Sequence, residues 1–290
     1  MVSSFERRLF ILPATILILA LGIFPLIFSL GITFTNLRLL GQDTHFVFLA
    51  NWIQVFQDNS FRQVLINTLT FVGIATVLQY SLGLGLALVL NEEIAFRRFL
   101  RVSFILPMMI SPVAISHVIG KMVLDENLGP IYDLAHRFHI PLATWTNSSS
   151  LSMLVLILVD TWQWTPLFVL LLLAGMQAIQ PEWYEAARID GASGWTIFRS
   201  ITFPLLMPLS VTAILIRSME MFKVVDIVRV VTGGGPGQAT ETVTLYAYDI
   251  GIKGGSIAYA ATIAYVLLFV VTLYAIGLLA IARRITPSQG

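Results

Sequence analysis

Pro181-Glu-Trp-Tyr-Glu-Ala-Ala-Arg-Ile-Asp-Gly-Ala-Ser-Gly-Trp-Thr-Ile-Phe-Arg-Ser-Ile-Thr-Phe-Pro204 is a polar stretch set between two long apolar runs. Glu182, Glu185 and Arg188 recur at the spacing that shares one helical face. Gly191 and Gly194 permit a sharp turn, and Trp195, Phe198 and Ile201 then resume an apolar stripe. The stretch predicts helix, turn, helix. Its brevity and its direct junction with apolar segments suit a rigid lever between long helices.

The runs on either side belong to a chain whose solvent is lipid. Of 290 residues 57% are hydrophobic and 11% charged, with a mean hydropathy of +0.85. An ordinary soluble domain carries roughly a quarter charged residues. A formal net charge of +1 gives no global field for nucleic acid. The absence of cysteine excludes disulfides, thiol catalysis and thiolate metal sites. The four histidines, His136 and His139 three apart in a polar loop among them, lack a metal-ligand spacing, so no metal site is expected. Asp160 and His117 are too dispersed to form a nucleophile and base pair.

Six apolar runs are long enough to cross a bilayer, which takes about 20 residues. They fall at about 10–34, 64–90, 99–124, 151–179, 201–231 and 257–282, with the polar loop at 180–200. The expectation is an all-α polytopic membrane protein, one transmembrane domain over 1–290, with a helix-turn-helix between the fourth and fifth spans. The first run is too long for a signal-peptide core, and Pro13 and Pro25 can kink it. Pro107 and Ser111-Pro112 interrupt the third. Gly83 and Gly85 in the second permit close helix approach or serve ordinary packing. Gly233-Gly-Gly-Pro-Gly237 breaks the chain after the fifth, and the tail Ile285–Gly290 reads as mobile. Arg7, Arg8, Arg97, Arg98, Arg101, Arg188, Arg199, Arg283 and Arg284 fall on one side of the six spans. Arg38, Arg62, Arg137, Arg229 and Lys253 fall on the other, so the positive-inside rule places both termini and the 180–200 loop in the cytoplasm.

With these residues in view, Glu185-Ala-Ala187, Asp190-Gly-Ala192, Phe198, Ile201 and Pro204 resemble the EAA loop of ABC-importer permeases. Leu82-Gly-Leu-Gly-Leu-Ala-Leu-Val-Leu-Asn91, Phe104-Ile-Leu-Pro107, Leu173-Ala-Gly-Met-Gln177, Pro204-Leu-Leu-Met-Pro208 and Thr232-Gly-Gly-Gly-Pro236 extend the resemblance to the carbohydrate-type permeases of the maltose and glycerol-3-phosphate importer group. The resemblance implies a second permease subunit, two ATPase subunits binding ATP and magnesium, an external solute-binding protein, and a bacterial cytoplasmic membrane. No ATPase is expected in this chain, because Gly233–Gly237 is followed by Gln238-Ala-Thr rather than the lysine of a phosphate-binding loop. By the same resemblance Glu185 pairs with a basic residue of the ATPase, Ala186 and Ala187 let the helix sit deep in its cleft, and Asp190 and Gly191 form the turn.

Ionisable groups inside spans are costly and mark cavities or partners. Asp160, Gln163 and Trp164 lie in the fourth span, Arg217 and Glu220 in the fifth, and His117 and Lys121 in the third. Resemblance to maltose-type members carries a transmembrane sugar site onto Asp160, Gln163, Trp164, Leu167, Arg217, Glu220, Met221 and Val224. Hydrogen-bonding groups beside indole faces suit a polyhydroxylated solute. An Asp160–Arg217 or Lys121–Glu220 ion pair that merely holds spans together has the same signature. A permease for an amino acid or phosphate-like solute, with Arg217 as the anion contact, and an ion-coupled secondary transporter stay open as alternatives.

Overall fold

The computed structural model describes residues 4–41, 43–92, 96–139 and 144–285 of the chain. Residues 286–290 of the expected tail, and the side chains of Arg7, Arg8, Arg97, Arg98 and Arg284, lie outside the described residues. Among those described, five helices are long and apolar enough to span a membrane, and a bent pair supplies a sixth. No strand is formed among them, only an isolated bridge between Thr35 and Phe46. The chain is an all-α polytopic membrane protein.

The spans are α1 (Ile11–Ile32), α3 (Asn59–Asn91), α7 (Ser149–Gln177), α9 (Gly194–Met221) and α12 (Ile257–Ile285), with the pair α4 (Arg97–Met109) and α5 (Pro112–Val123). Shorter helices are α2 (Ala50–Gln57), α6 (Pro130–Arg137), α8 (Pro181–Ile189), α10 (Asp226–Val231) and α11 (Val243–Tyr248). Two of the prolines leave a visible mark. A widened turn, Leu19–Ile23, precedes Pro25, and another, Phe198–Thr202, precedes Pro204. In each, the next amide reaches back five residues, Phe24 to Leu19 and Phe203 to Phe198. A proline ring clashes with the carbonyl four residues back, and the wider turn relieves it without ending the helix.

Contacts divide the chain into two compact units, residues 1–62 with 246–269 and residues 63–245 with 270–290. In the first, α1 is exposed along its length, as a helix bathed in acyl chains would be. Asn51 Nδ2 donates to the carbonyls of Thr33 and Thr35, both at 2.8 Å, and fixes the exit of α1. Asp58 starts α3: its Oδ1 accepts from the Ser60 amide at 2.8 Å. Its Oδ2 accepts from Tyr246 Oη at 2.6 Å and Tyr259 Oη at 2.7 Å. Burial pushes the Asp58 carboxyl up, but these hydroxyls and the cap amides outweigh it and hold it below the usual carboxylate range.

The second unit centres on α3, α7 and α9. Ala87, Leu90, Phe168, Val169, Leu172, Leu173, Met176, Leu206 and Ala213 form its core. Within lipid such contacts gain by packing rather than by escape from water, so fit decides. Gly83 provides that fit: a Cβ there would stand 2.4 Å from Phe168 Cβ, whereas Gly85 meets nothing within 4 Å. At Gly175 the same atom would come within 2.5 Å of Leu209 Cδ2.

One boundary differs from the sequence expectation, and of the two interruptions expected in the third run only Ser111-Pro112 breaks it, Pro107 staying inside α4. The apolar run 201–231 is not one helix. Its helix starts earlier, at Gly194, and ends at Met221, before the separate α10. The carbonyls released there are taken by hydroxyls from further along the chain, Thr244 Oγ1 to Phe222 O and Thr242 Oγ1 to Val224 O, both at 3.0 Å. The third run is broken, its halves bent by 97°. Ser111 is extended, as a residue before proline must be. Gly120 of α5 then sits directly against Val231 of α10, where a Cβ would be 2.5 Å from Val231 Cγ2.

Candidate functional site

Asp160 lies midway along α7 and Arg217 one turn from the end of α9, and both are almost fully buried. Arg217 Nη2 donates to Asp160 Oδ2 at 2.5 Å. Gln79 of α3 closes the group. Its Nε2 donates to the same Oδ2 at 2.6 Å, and its Oε1 accepts from Arg217 Nε at 3.0 Å. The guanidinium also lies 4.6 Å from the centre of the Trp164 ring, close enough for cation–π attraction. A buried ion pair recovers its desolvation cost only when further hydrogen bonds complete it, and Gln79 and Trp164 complete this one.

The network forms one wall of a cavity of about 430 Å³. Asp160, Gln163, Trp164, Arg217, Glu220 and Val224 line it together with Pro112, Lys223 and residues 225–227. Six of the eight pathway residues read from sequence therefore meet in one place. Met221 is fully buried, its sulfur 3.6 Å from the Thr76 hydroxyl, and Leu167 is half-buried away from the lining. Gln163 Nε2 donates to the Ile110 carbonyl at 3.0 Å. That is the residue before Ser111-Pro112, so Gln163 takes up an acceptor that the break in the third span leaves without a helical partner.

Of the two alternative intramembrane pairs, Asp160–Arg217 is formed and Lys121–Glu220 is not. Glu220 instead accepts from Lys223 Nζ at 2.8 Å, three residues on, and Lys121 is exposed. Gln79 is the participant that sequence reasoning missed. The signal was a side-chain amide in the middle of an apolar span, which has no periodicity to single it out.

The 180–200 loop is built as helix, turn, helix. Pro181 opens α8 after the extended Gln180. The Asp190 amide bonds the Ala186 carbonyl, Gly191 the Arg188 carbonyl and Ala192 the Ala187 carbonyl, with Gly191 at φ +76°, a Schellman-type closure. Ser193 Oγ accepts from the Thr196 amide at 3.2 Å and caps α9. Tyr184 Oη meets Thr202 Oγ1 at 3.3 Å and braces the two arms. Glu182, Glu185, Ala186, Arg188, Asp190 and Gly191 are exposed and Ala187 half-buried. Trp183, Ile189 and Trp195 are also exposed, at 52%, 85% and 68%.

A family profile described as "Binding-protein-dependent transport system inner membrane component" matches residues 79–286. The chain belongs to that family. Among its relatives, the trehalose/maltose transport system permease protein MalF of Thermococcus litoralis is 33% identical over 273 residues, 93% of this chain and 92% of its own length. The sulfoquinovosyl glycerol transport system permease protein SmoG of Agrobacterium fabrum is 29% identical over 260 residues, 89% and 84% of the two chains. Of solved structures, a bacterial ABC transporter involved in import of the acidic polysaccharide alginate superposes with a TM-score of 0.84 at 21% identity, covering 98% of this chain and 96% of its own. That likeness is one of fold.

Proposed function

We propose that this permease-family member is the transmembrane subunit of an ATP-driven, binding-protein-dependent importer for a sugar, polyol or related carbohydrate. The observation that carries the reading is the cavity on α7 and α9, where Asp160, Gln163, Trp164, Arg217, Glu220 and Val224 combine hydrogen-bonding groups with an indole. Sugar hydroxyls need such partners, and their C–H faces pack on aromatic rings. Relatives named for trehalose, maltose and sulfoquinovosyl glycerol support the carbohydrate class.

The loop supplies the coupling. One helix continues from the Gly191 turn to Arg217 and Glu220, so a push on the turn is delivered along α9 to the cavity wall. Exposed Trp183, Ile189 and Trp195 offer apolar anchors to an ATPase cleft, Ala186 and Ala187 permit close approach, and Asp190 precedes the turn. Glu185 meets a basic residue of the ATPase. ATP and magnesium are held by two such subunits, and a second permease subunit completes the pathway. The external solute-binding protein delivers the cargo, and α9 rocks between two arrangements as the ATPases close. The chain sits in the bacterial cytoplasmic membrane with both termini and the loop on the cytoplasmic side.

The test is ATP-driven uptake in vesicles holding the full assembly, with pull-down of the ATPase alongside. Glu185→Lys and Gly191→Pro are expected to lose uptake and ATPase attachment together. Normal uptake and attachment in both variants would refute the lever assignment.

A further inference from the structure

The buried ion pair of the cavity wall is held by one arm. Arginine and carboxylate groups commonly meet fork to fork, through two parallel hydrogen bonds. Here Arg217 and Asp160 share a single bond, Nη2 to Oδ2, and Gln79 stands where the second would form. Its Oε1 accepts from Nε, the nitrogen that lies beside Nη2 along one edge of the guanidinium, and its Nε2 donates to the Oδ2 already in use. The Trp164 ring steadies the face of the same group from 4.6 Å. Two polar atoms are thereby left over. No described residue bonds Arg217 Nη1 or Asp160 Oδ1, and neither atom is sealed off, although both side chains are almost fully buried. Both residues line the cavity of about 430 Å³, so it is there that the two atoms are reached.

We propose that Gln79 is the positioning residue of this site: by holding the ion pair open it presents Arg217 Nη1 as a fixed donor and Asp160 Oδ1 as a fixed acceptor to a hydroxylated solute. This role rests on the carbohydrate reading above, and it suits such a solute because a hydroxyl both donates and accepts. Gln79 is fully buried and stands outside the cavity lining, so its effect on the solute passes through the two ions. Without it Nε and Oδ2 are each short of a partner. The nearest remedy is for the ions to close on each other through both arms. That keeps the charges compensated while drawing Oδ1 out of the cavity and rotating Nη1 with the guanidinium. Gln79 thus acts by pre-organisation, since groups already oriented need no reordering when the solute arrives.

The experiment uses the complete membrane assembly of this chain, its partner permease and the ATPases in lipid nanodiscs. The external binding protein is left out so that its own affinity is not read. Maltose, trehalose and sorbitol are titrated by saturation-transfer NMR against the intact assembly and against Gln79→Met, which keeps the length of the side chain and removes both of its hydrogen bonds. The solute that binds is expected to weaken at least about tenfold in the variant, while the melting temperature falls by less than about 4 °C because the ions re-pair. Monodeoxy analogues of that solute give a readout that a purely structural role would not move. In the intact assembly at least one of them binds about tenfold more weakly than its parent. In Gln79→Met that penalty shrinks to about twofold, since the partners of the missing hydroxyl are no longer in place. A cryo-EM map of the intact assembly with the bound solute checks the same contact, and decides it if the variant does not fold: hydroxyls should sit on Nη1 and Oδ1 with Gln79 still on Nε. Equal affinity in the variant, a deoxy penalty that persists in it, or a bound solute that leaves Nη1 and Oδ1 untouched overturns the role of Gln79 and leaves the carbohydrate reading standing. An intact assembly that binds none of the three solutes overturns the carbohydrate reading, and the role of Gln79 with it.

Discussion

In the cavity wall, Asp160, Arg217, Gln79 and Gln163 bond to one another or to a backbone carbonyl of the same chain. Along α8 and the turn that follows it, Glu182, Glu185, Arg188 and Asp190 enter no ion pair with another described residue and face outward beside exposed Trp183 and Trp195. Both regions are polar, yet one satisfies its polarity internally and the other leaves it exposed. Stability resides in the first, and the coupling role proposed above asks for attachment at the second. Sequence composition alone hides that difference, since each region shows carboxylates, an arginine and tryptophans.

The comparison breaks if the wall tolerates loss of one charge. Asp160→Leu leaves the Arg217 guanidinium buried without its counter-ion, at a cost of about 3–5 kcal/mol, and thermal unfolding of the purified protein in detergent should drop sharply. Replacing both residues with leucine should recover much of that loss. Gln163→Leu comes next. It leaves the Ile110 carbonyl unmatched at the bend of the third span, for about 1–3 kcal/mol in the same assay.

Asp58 is an intermediate case, a carboxylate satisfied by two tyrosine hydroxyls but within reach of water. Asp58→Asn keeps the helix cap and loses the charge-assisted bonds, at about 1 kcal/mol after allowance for solvent screening. The pH dependence has a definite sign. Because the carboxyl is held below its ordinary 3.8 in the folded protein, its stabilisation is fully present above that value and is lost as pH falls through the lowered one. The gap between wild type and Asp58→Asn in a thermal melt should therefore hold from pH 7 to pH 5 and close below about pH 4. The smallest effect on stability belongs to the turn. Glu185→Lys should change unfolding by less than about 0.5 kcal/mol, as exposed substitutions do, while ATP-driven uptake is lost. A large loss of stability there would erase the contrast.

Much of this was legible in the chain. Apolar runs announce spans because lipid demands about 20 such residues, and the helix-turn-helix is readable because Gly191, Ser193 and Pro181 each act on their own neighbours. What failed was non-local. The fifth run looks continuous to 231, and its helix stops at Met221 because hydroxyls 18 and 22 residues away take the released carbonyls. Glu220 was paired with the wrong lysine in one reading, although Lys223 stands three residues on within the same expected run, at a spacing that brings helical neighbours together. Gln79 contributes through groups 81 and 138 residues distant, and nothing in its own surroundings encodes them. The break at Ser111-Pro112 was readable; its 97° angle, set by what α5 packs against, was not.

Gly191 closes the lever at φ +76°, yet a β-carbon built there touches nothing within 4 Å. The position is thus restricted by handedness and not by volume. L-Alanine there would be strained by roughly 1–2 kcal/mol in open space, whereas D-alanine, whose favoured backbone region is the mirror image, would fit at no such cost. A semisynthetic chain carrying the D-residue should hold the turn more firmly than glycine does, stiffening the joint proposed to carry the ATPase's push without altering the exposed side chains beside it.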